Sequence, residues 1–181
     1  LWTLFLFYVP TFDLDESLYR RVAEEMKLSH HWWHPTWDGD TLFHKPPFFY
    51  WLIAGISFLV DGKSAGVSIF SARLPSLLAS LGILYALARF SKSLKLDRIW
   101  LAPLLFCTAL FPALTATSTI FDPIQTFLML PSLLIPTRIF YLSSAGKLPV
   151  QLSLSRSQQL LWILSLSSAS LFKGLNGILI P

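Results

Sequence analysis

Several side chains along this sequence are of types that can do chemistry. Asp15-Glu16 is a pair of adjacent acids opening an amphipathic stretch, and Lys45 stands directly before Pro46-Pro47. Asp122 precedes Pro123 at the start of an apolar run, and Lys173-Gly174 interrupts another. A carboxylate facing a cavity can accept a proton as general base. An ammonium beside a helix start can share one anion with the free N–H groups of the first turn. Pro46 and Pro47 remove two such donors, which leaves Lys45 most of the binding. Acids in or near membrane segments are costly, and that makes Asp122 a functional candidate.

Each of these residues also has a plain structural reading. Asp15-Glu16 suits the first turn of a helix, where a cap and the dipole favour acid. Lys45 can snorkel at a helix start, although a cation there opposes the dipole. Asp122-Pro123 is an ordinary helix start, and Lys173-Gly174 an ordinary helix end. Arg73, in the first turns of its apolar segment, can snorkel outward.

The elements that must position these residues follow from composition. Of 181 residues, 54% are hydrophobic and 13% charged, where a soluble domain carries about 25% charged. Mean hydropathy is +0.58. These values exclude disorder and leave too little polar residue for a soluble shell. The lone Cys107 excludes a disulfide scaffold. The basic residues are scattered among apolar runs, which argues against nucleic acid as a partner. An integral membrane protein remains, and the 15% aromatic content agrees.

Residues 1–9 are apolar but too short to span, and read as the outer end of a truncated first transmembrane helix. Residues 13–45 are the most polar stretch. Within them Asp15 to Lys27 reads as a helix with Leu18, Val22 and Met26 on one face, and Arg20, Arg21, Glu24 and Lys27 opposite. Residues 46–61 are apolar and open on the proline pair. Spans are expected at about 68–90, 99–118, 123–142 and 158–180.

The loop carrying Arg89, Lys92, Lys95 and Arg98 is the most basic connection, and the positive-inside rule places it in the cytoplasm. With 46–61 lying at the interface, residues 13–66 form an outer loop with two interfacial helices. Asp15, Lys45, Asp122 and Lys173 then gather on the outer side. If 46–61 spans instead, Asp15 and Lys45 lie opposite Asp122 and Lys173.

His30 and His34 have helical ligand spacing, but Trp32-Trp33 and Pro35 point to a helix ending there. Trp32, Trp33 and Trp37 read as an interfacial aromatic belt.

In order, the sequence carries Asp15-Glu16-Ser17-Leu18-Tyr19, Trp33-His34-Pro35, and Lys45-Pro46-Pro47-Phe48-Phe49-Tyr50-Trp51. Ser71-Ala72-Arg73-Leu74-Pro75-Ser76, Phe121-Asp122-Pro123 and Phe172-Lys173-Gly174 follow. This series resembles the N-terminal part of the lipid A aminoarabinose transferase and protein O-mannosyltransferase group, membrane glycosyltransferases of the GT-C type. The resemblance implies an all-α, polytopic membrane bundle, of which this chain is a truncated part. Residues 1–12 would close the first span, 13–66 form the outer loop and 67–181 supply further spans. It implies transfer of a sugar from a polyprenyl-phosphate carrier to a lipid, glycan or protein acceptor. The site would face outward or periplasmically, in a bacterial inner membrane.

By that resemblance Asp15 is the base, with Glu16 beside it and Asp122 a second acid near the cavity. Lys45 meets the lipid phosphate, and Tyr19, Arg73 and Lys173 join it in binding substrate. No cofactor is assigned, and a divalent metal stays an open question. The residue before K-P-P is often acidic in the group and here is His44, which leaves His44 as the one candidate ligand. Two readings from other classes compete. A multi-pass transporter predicts charges in mid-span and inverted repeats, neither of which the sequence displays. A noncatalytic membrane assembly protein is the other.

Overall fold

The computed structural model describes residues 14–42, 45–144 and 154–173. These residues are mostly helical with almost no sheet, as expected. In chain order they form α1 (Leu14–Ser29), β1 (Thr36–Trp37), β2 (Asp40–Thr41), α2 (Phe48–Val60) and α3 (Ile69–Ser93). Then come α4 (Leu101–Thr108), α5 (Leu110–Ala116), α6 (Asp122–Ser144) and α7 (Arg156–Lys173). The expected end of a first span, 1–12, and His44 lie outside the described residues.

Asp15 and Glu16 occupy the first turn of α1, where the dipole favours them. The helix buries Tyr19, Val22, Ala23 and Met26, the i, i+3, i+4, i+7 pattern of a single face. That face is rotated from the one expected, and Lys27, expected on the polar side, is fully buried. Its Nζ donates to the Ser57 hydroxyl at 2.8 Å, the Ala65 carbonyl at 2.9 Å and the Ser57 carbonyl at 3.4 Å. Those oxygens replace water, which makes the burial tolerable.

Ser57 donates onward to Asp61 at 2.7 Å, and Asp61 also accepts the Ser68 N–H at 3.1 Å and the Ser71 hydroxyl. Burial pushes the Asp61 carboxyl up, but the hydrogen bonds from Ser71, Ser68 and Ser57 outweigh it and hold the group at about 2. This polar knot fastens the end of α1 to the end of α2 and the start of α3.

After α1 the backbone turns left-handed at His30, φ 60°. His30 and His34 therefore share no helix, and their ligand spacing is lost. Asp38 (φ 50°) and Gly39 (φ 88°) then make the two-residue turn of a β1–β2 hairpin. Glu25 of α1 holds this hairpin, accepting from Thr36 Oγ1 at 2.8 Å and the Asp38 N–H at 2.8 Å, with Arg21 alongside at 3.2 Å. Burial raises the Glu25 carboxyl, but these partners dominate and its pKa is lowered.

Helix α2 starts directly after the proline pair, as expected. At about 1.5 Å per residue it is roughly 20 Å long, short of the ~30 Å hydrocarbon core. Trp32 stacks on Phe58 at 5.7 Å, and Trp33 meets Trp51 edge-on at 5.1 Å. Trp37 is half exposed and also lines a cavity near α1.

Among the described residues two helices, α3 and α6, are long and apolar enough to cross a membrane. Ser68 caps α3, accepting the Ser71 N–H at 3.1 Å. The expected single span 99–118 is instead two helices, broken at Ala109 (ψ 134°). Pro112 accounts for the break, since its ring clashes with the carbonyl four residues earlier and it offers no N–H.

Contacts fix the helix directions. Ser76 donates to the Ile120 carbonyl at 2.6 Å, and Gly82 faces Phe127, so α3 and α6 run parallel. An added Cβ at Gly82 would lie 2.6 Å from the Phe127 ring, so glycine permits this approach. Helix α7 runs antiparallel to α6 and repairs its proline sites. Pro136 leaves the Ser132 carbonyl without its helical donor, and the Trp162 indole supplies one at 3.1 Å. Beside Pro131 the Ser165 hydroxyl accepts the Ser132 N–H at 3.3 Å and donates to the Leu128 carbonyl at 2.6 Å. The buried core lies at one end, where α1, α2, the start of α3 and the start of α6 meet.

Candidate active site

At that end a cavity of about 190 Å³ is lined by Asp15, Tyr19, Trp37, Lys45 and Tyr50, with Leu18 and Leu42. The first turns of α1 bring Asp15 and Tyr19, one helical turn apart. The hairpin brings Trp37, the turn before the proline pair brings Lys45, and α2 brings Tyr50. A larger cavity of about 400 Å³ between α3, α6 and α7 is lined by apolar side chains with Ser165 and Ser168, and among the described residues carries no titratable group.

The polar groups of the smaller cavity form a chain. Lys45 donates to the Tyr19 hydroxyl, which donates to Asp15 at 3.1 Å. The Lys45 ammonium lies 3.6 Å from the Asp15 carboxylate, 4.7 Å from the Tyr19 ring centre and 4.6 Å from that of Phe121. Burial, then the Asp15 charge, pushes the Tyr19 phenol far above its usual range, and Tyr50 and Asp122 add to the effect. Tyr19 therefore stays protonated and relays a hydrogen bond between cation and carboxylate.

Asp15, Tyr19 and Lys45 are thus brought together, and Asp122 lies within electrostatic reach of Tyr19. Asp122 also borders a separate space of about 60 Å³ with Ser80, Thr115 and Thr126. This juxtaposition does not fit the alternative in which α2 spans and separates Lys45 from Asp122.

Glu16 and Arg73 are placed differently. They are 4% and 1% exposed and bind each other in a fork, Nε to Oε1 at 2.6 Å and Nη2 to Oε2 at 3.1 Å. Glu16 also accepts the Thr119 N–H and hydroxyl, each at 3.0 Å. Arg73 does not snorkel outward as expected, because this carboxylate holds it inside. Lys173 is the last residue of α7, and its side chain lies outside those described. The antiparallel register carries that end of α7 toward the level of Asp122. Among the described residues no group of three or more His, Cys, Asp or Glu is placed to hold a metal ion.

Sequence reasoning missed Trp37 and Tyr50 as lining residues. The Asp38-Gly39 pair was the available signal for a hairpin that sets Trp37 beside the cavity. Tyr50 was visible only as a member of the K-P-P-x-x-Y-W run.

No protein-family model and no curated protein matches the sequence. Solved structures do match the fold. ArnT from Cupriavidus metallidurans bound to undecaprenyl phosphate superposes with a TM-score of 0.78 at 21% identity, over 98% of this chain and 31% of that one. The same protein in the apo state gives 0.72 at 22% identity, over 99% and 32%. This chain spans about a third of the length of those ArnT chains. At this identity the shared property is the fold, and the chain has the GT-C membrane fold over that portion.

Proposed function

We propose that this chain is part of a GT-C membrane glycosyltransferase that moves a sugar from a polyprenyl-phosphate carrier to a lipid, glycan or protein acceptor. The observation carrying this reading is the Lys45–Tyr19–Asp15 chain lining one cavity. The fold shared with ArnT, a lipid A aminoarabinose transferase solved with undecaprenyl phosphate, supports a donor of that class.

In the reaction the bond between sugar and phosphate breaks, and a bond from the acceptor oxygen to the sugar carbon forms. Charge grows on the departing lipid phosphate, where Lys45 can neutralise it. The acceptor's proton passes to Asp15, the general base. Tyr19 bonds both groups and fixes their relative position. Glu16 and Arg73 are positioning residues in this reading: their fork, closed by Thr119, fixes the helix turn from which Asp15 projects. Asp122 and Lys173 would complete the substrate side. The site would lie on the outer face, at the bilayer edge where a carrier's headgroup emerges.

Asp15→Asn and Lys45→Ala in the full-length enzyme should each abolish transfer from a radiolabelled polyprenyl-phosphate sugar, with expression unchanged. Full activity in either variant removes that residue from the mechanism. If the unaltered enzyme consumes no such donor, the fold likeness is architectural and the transporter reading takes its place.

A further inference from the structure

Tyr50 is 1% exposed, and among the described residues its hydroxyl has no hydrogen-bond partner, although it belongs to the lining of the Asp15–Lys45 cavity. Its ring is fixed in the core, 6.1 Å from that of Tyr19. Buried hydroxyls almost always find a partner, and an unmade bond at such a group is costly. The same cavity has an apolar wall in Trp37 and Leu42, with the Asp15 carboxylate close by. At ~30 Å³ per water, 190 Å³ is the space of about six waters, which suits a ring better than a lone ion.

We propose that Tyr50 is a sugar-binding residue: its phenol donates a hydrogen bond to a hydroxyl or ring oxygen of the carrier-linked sugar, whose apolar face lies against Trp37. This inference rests on the glycosyltransferase reading and names the part of the donor held here. Burial, with the Asp15 charge acting on it, pushes the Tyr50 phenol up to about 12, so it acts as a protonated donor. The Asp15 carboxylate favours the sugar over the phosphate. That same carboxylate repels an anion but can accept from a sugar hydroxyl, so a neutral ring fits between Tyr50 and Asp15. The phosphate then falls to Lys45. An apolar pocket with a few convergent polar groups is the usual design for orienting a small ligand.

The test uses the full-length protein in lipid nanodiscs and three probes: undecaprenyl phosphate, its mannose derivative and its 4-amino-4-deoxyarabinose derivative. The unaltered protein should bind at least one sugar-bearing lipid more tightly than the bare lipid phosphate. Tyr50→Phe should reduce that preference about tenfold, the worth of one neutral hydrogen bond, and leave affinity for undecaprenyl phosphate unchanged. It should unfold at no lower temperature, because it removes only an unpartnered oxygen from apolar surroundings. An undiminished preference in Tyr50→Phe overturns the proposal, as does an equal loss for the bare lipid. If the unaltered protein binds undecaprenyl phosphate yet prefers neither glycolipid, the sugar contact fails and the lipid-carrier reading stands. If it binds none of the three, both fall.

Discussion

Asp15 and Glu16 are neighbours in sequence with opposite surroundings. The helix turns about 100° between them, so one carboxylate lines a cavity and the other is enclosed by Arg73 and Thr119. A D-E pair in sequence cannot say which acid is enclosed, because that depends on Arg73, 57 positions away, and Thr119, 103 away. The Glu16–Arg73 fork is buried, so losing one partner leaves a charge inside without its counter-charge. Glu16→Gln should lose about 3–5 kcal/mol in thermal unfolding in detergent, while Glu16→Leu with Arg73→Met should lose far less. Equal stability of Glu16→Gln and the unaltered protein would show that the fork does not hold this end together.

The elements were legible where periodicity and punctuation agree. The acidic start of α1, the proline start of α2 and the apolar lengths of α3 and α6 stood out in the sequence. The break at Ala109 was not seen, although Pro112 was there to signal it; an apolar run reads as continuous when only hydropathy is weighed. The site was legible in part. Asp15, Lys45 and Tyr19 could be singled out, but Tyr50 and Trp37 acquire meaning only when the hairpin folds back over α1. The stitching of α6 by α7 was invisible, because its serines and tryptophan are ordinary residues of an apolar helix. It can be tested directly. Ser165→Ala and Trp162→Phe should each cost about 1–3 kcal/mol in thermal unfolding, by leaving α6 backbone groups without partners. Ser168→Ala should be nearly neutral, since among the described residues Ser168 bonds only the Ser165 carbonyl of its own helix, at 3.1 Å.

At the scale of the whole molecule, parallel α3 and α6 with antiparallel α7 fit a chain that crosses back and forth. By the positive-inside rule the basic loop after α3 predicts an orientation with that loop inside and the hairpin and cavity outside. In a Cys107→Ser background, Asp40→Cys should react with an impermeant maleimide on intact cells, and Asp97→Cys only after permeabilisation. Both positions are exposed, so access alone does not decide the result. The reverse pattern would put the cavity on the cytoplasmic face. The bonds that α7 lends to α6 also bear on how the chain is built. Within a bilayer, hydrocarbon would supply no donor to the carbonyl that Pro136 leaves open. If α6 crosses the membrane, its backbone is fully bonded only with α7 beside it, which predicts that the two enter the bilayer together; truncation before Arg156 should then leave α6 poorly inserted in a glycosylation-tag insertion assay.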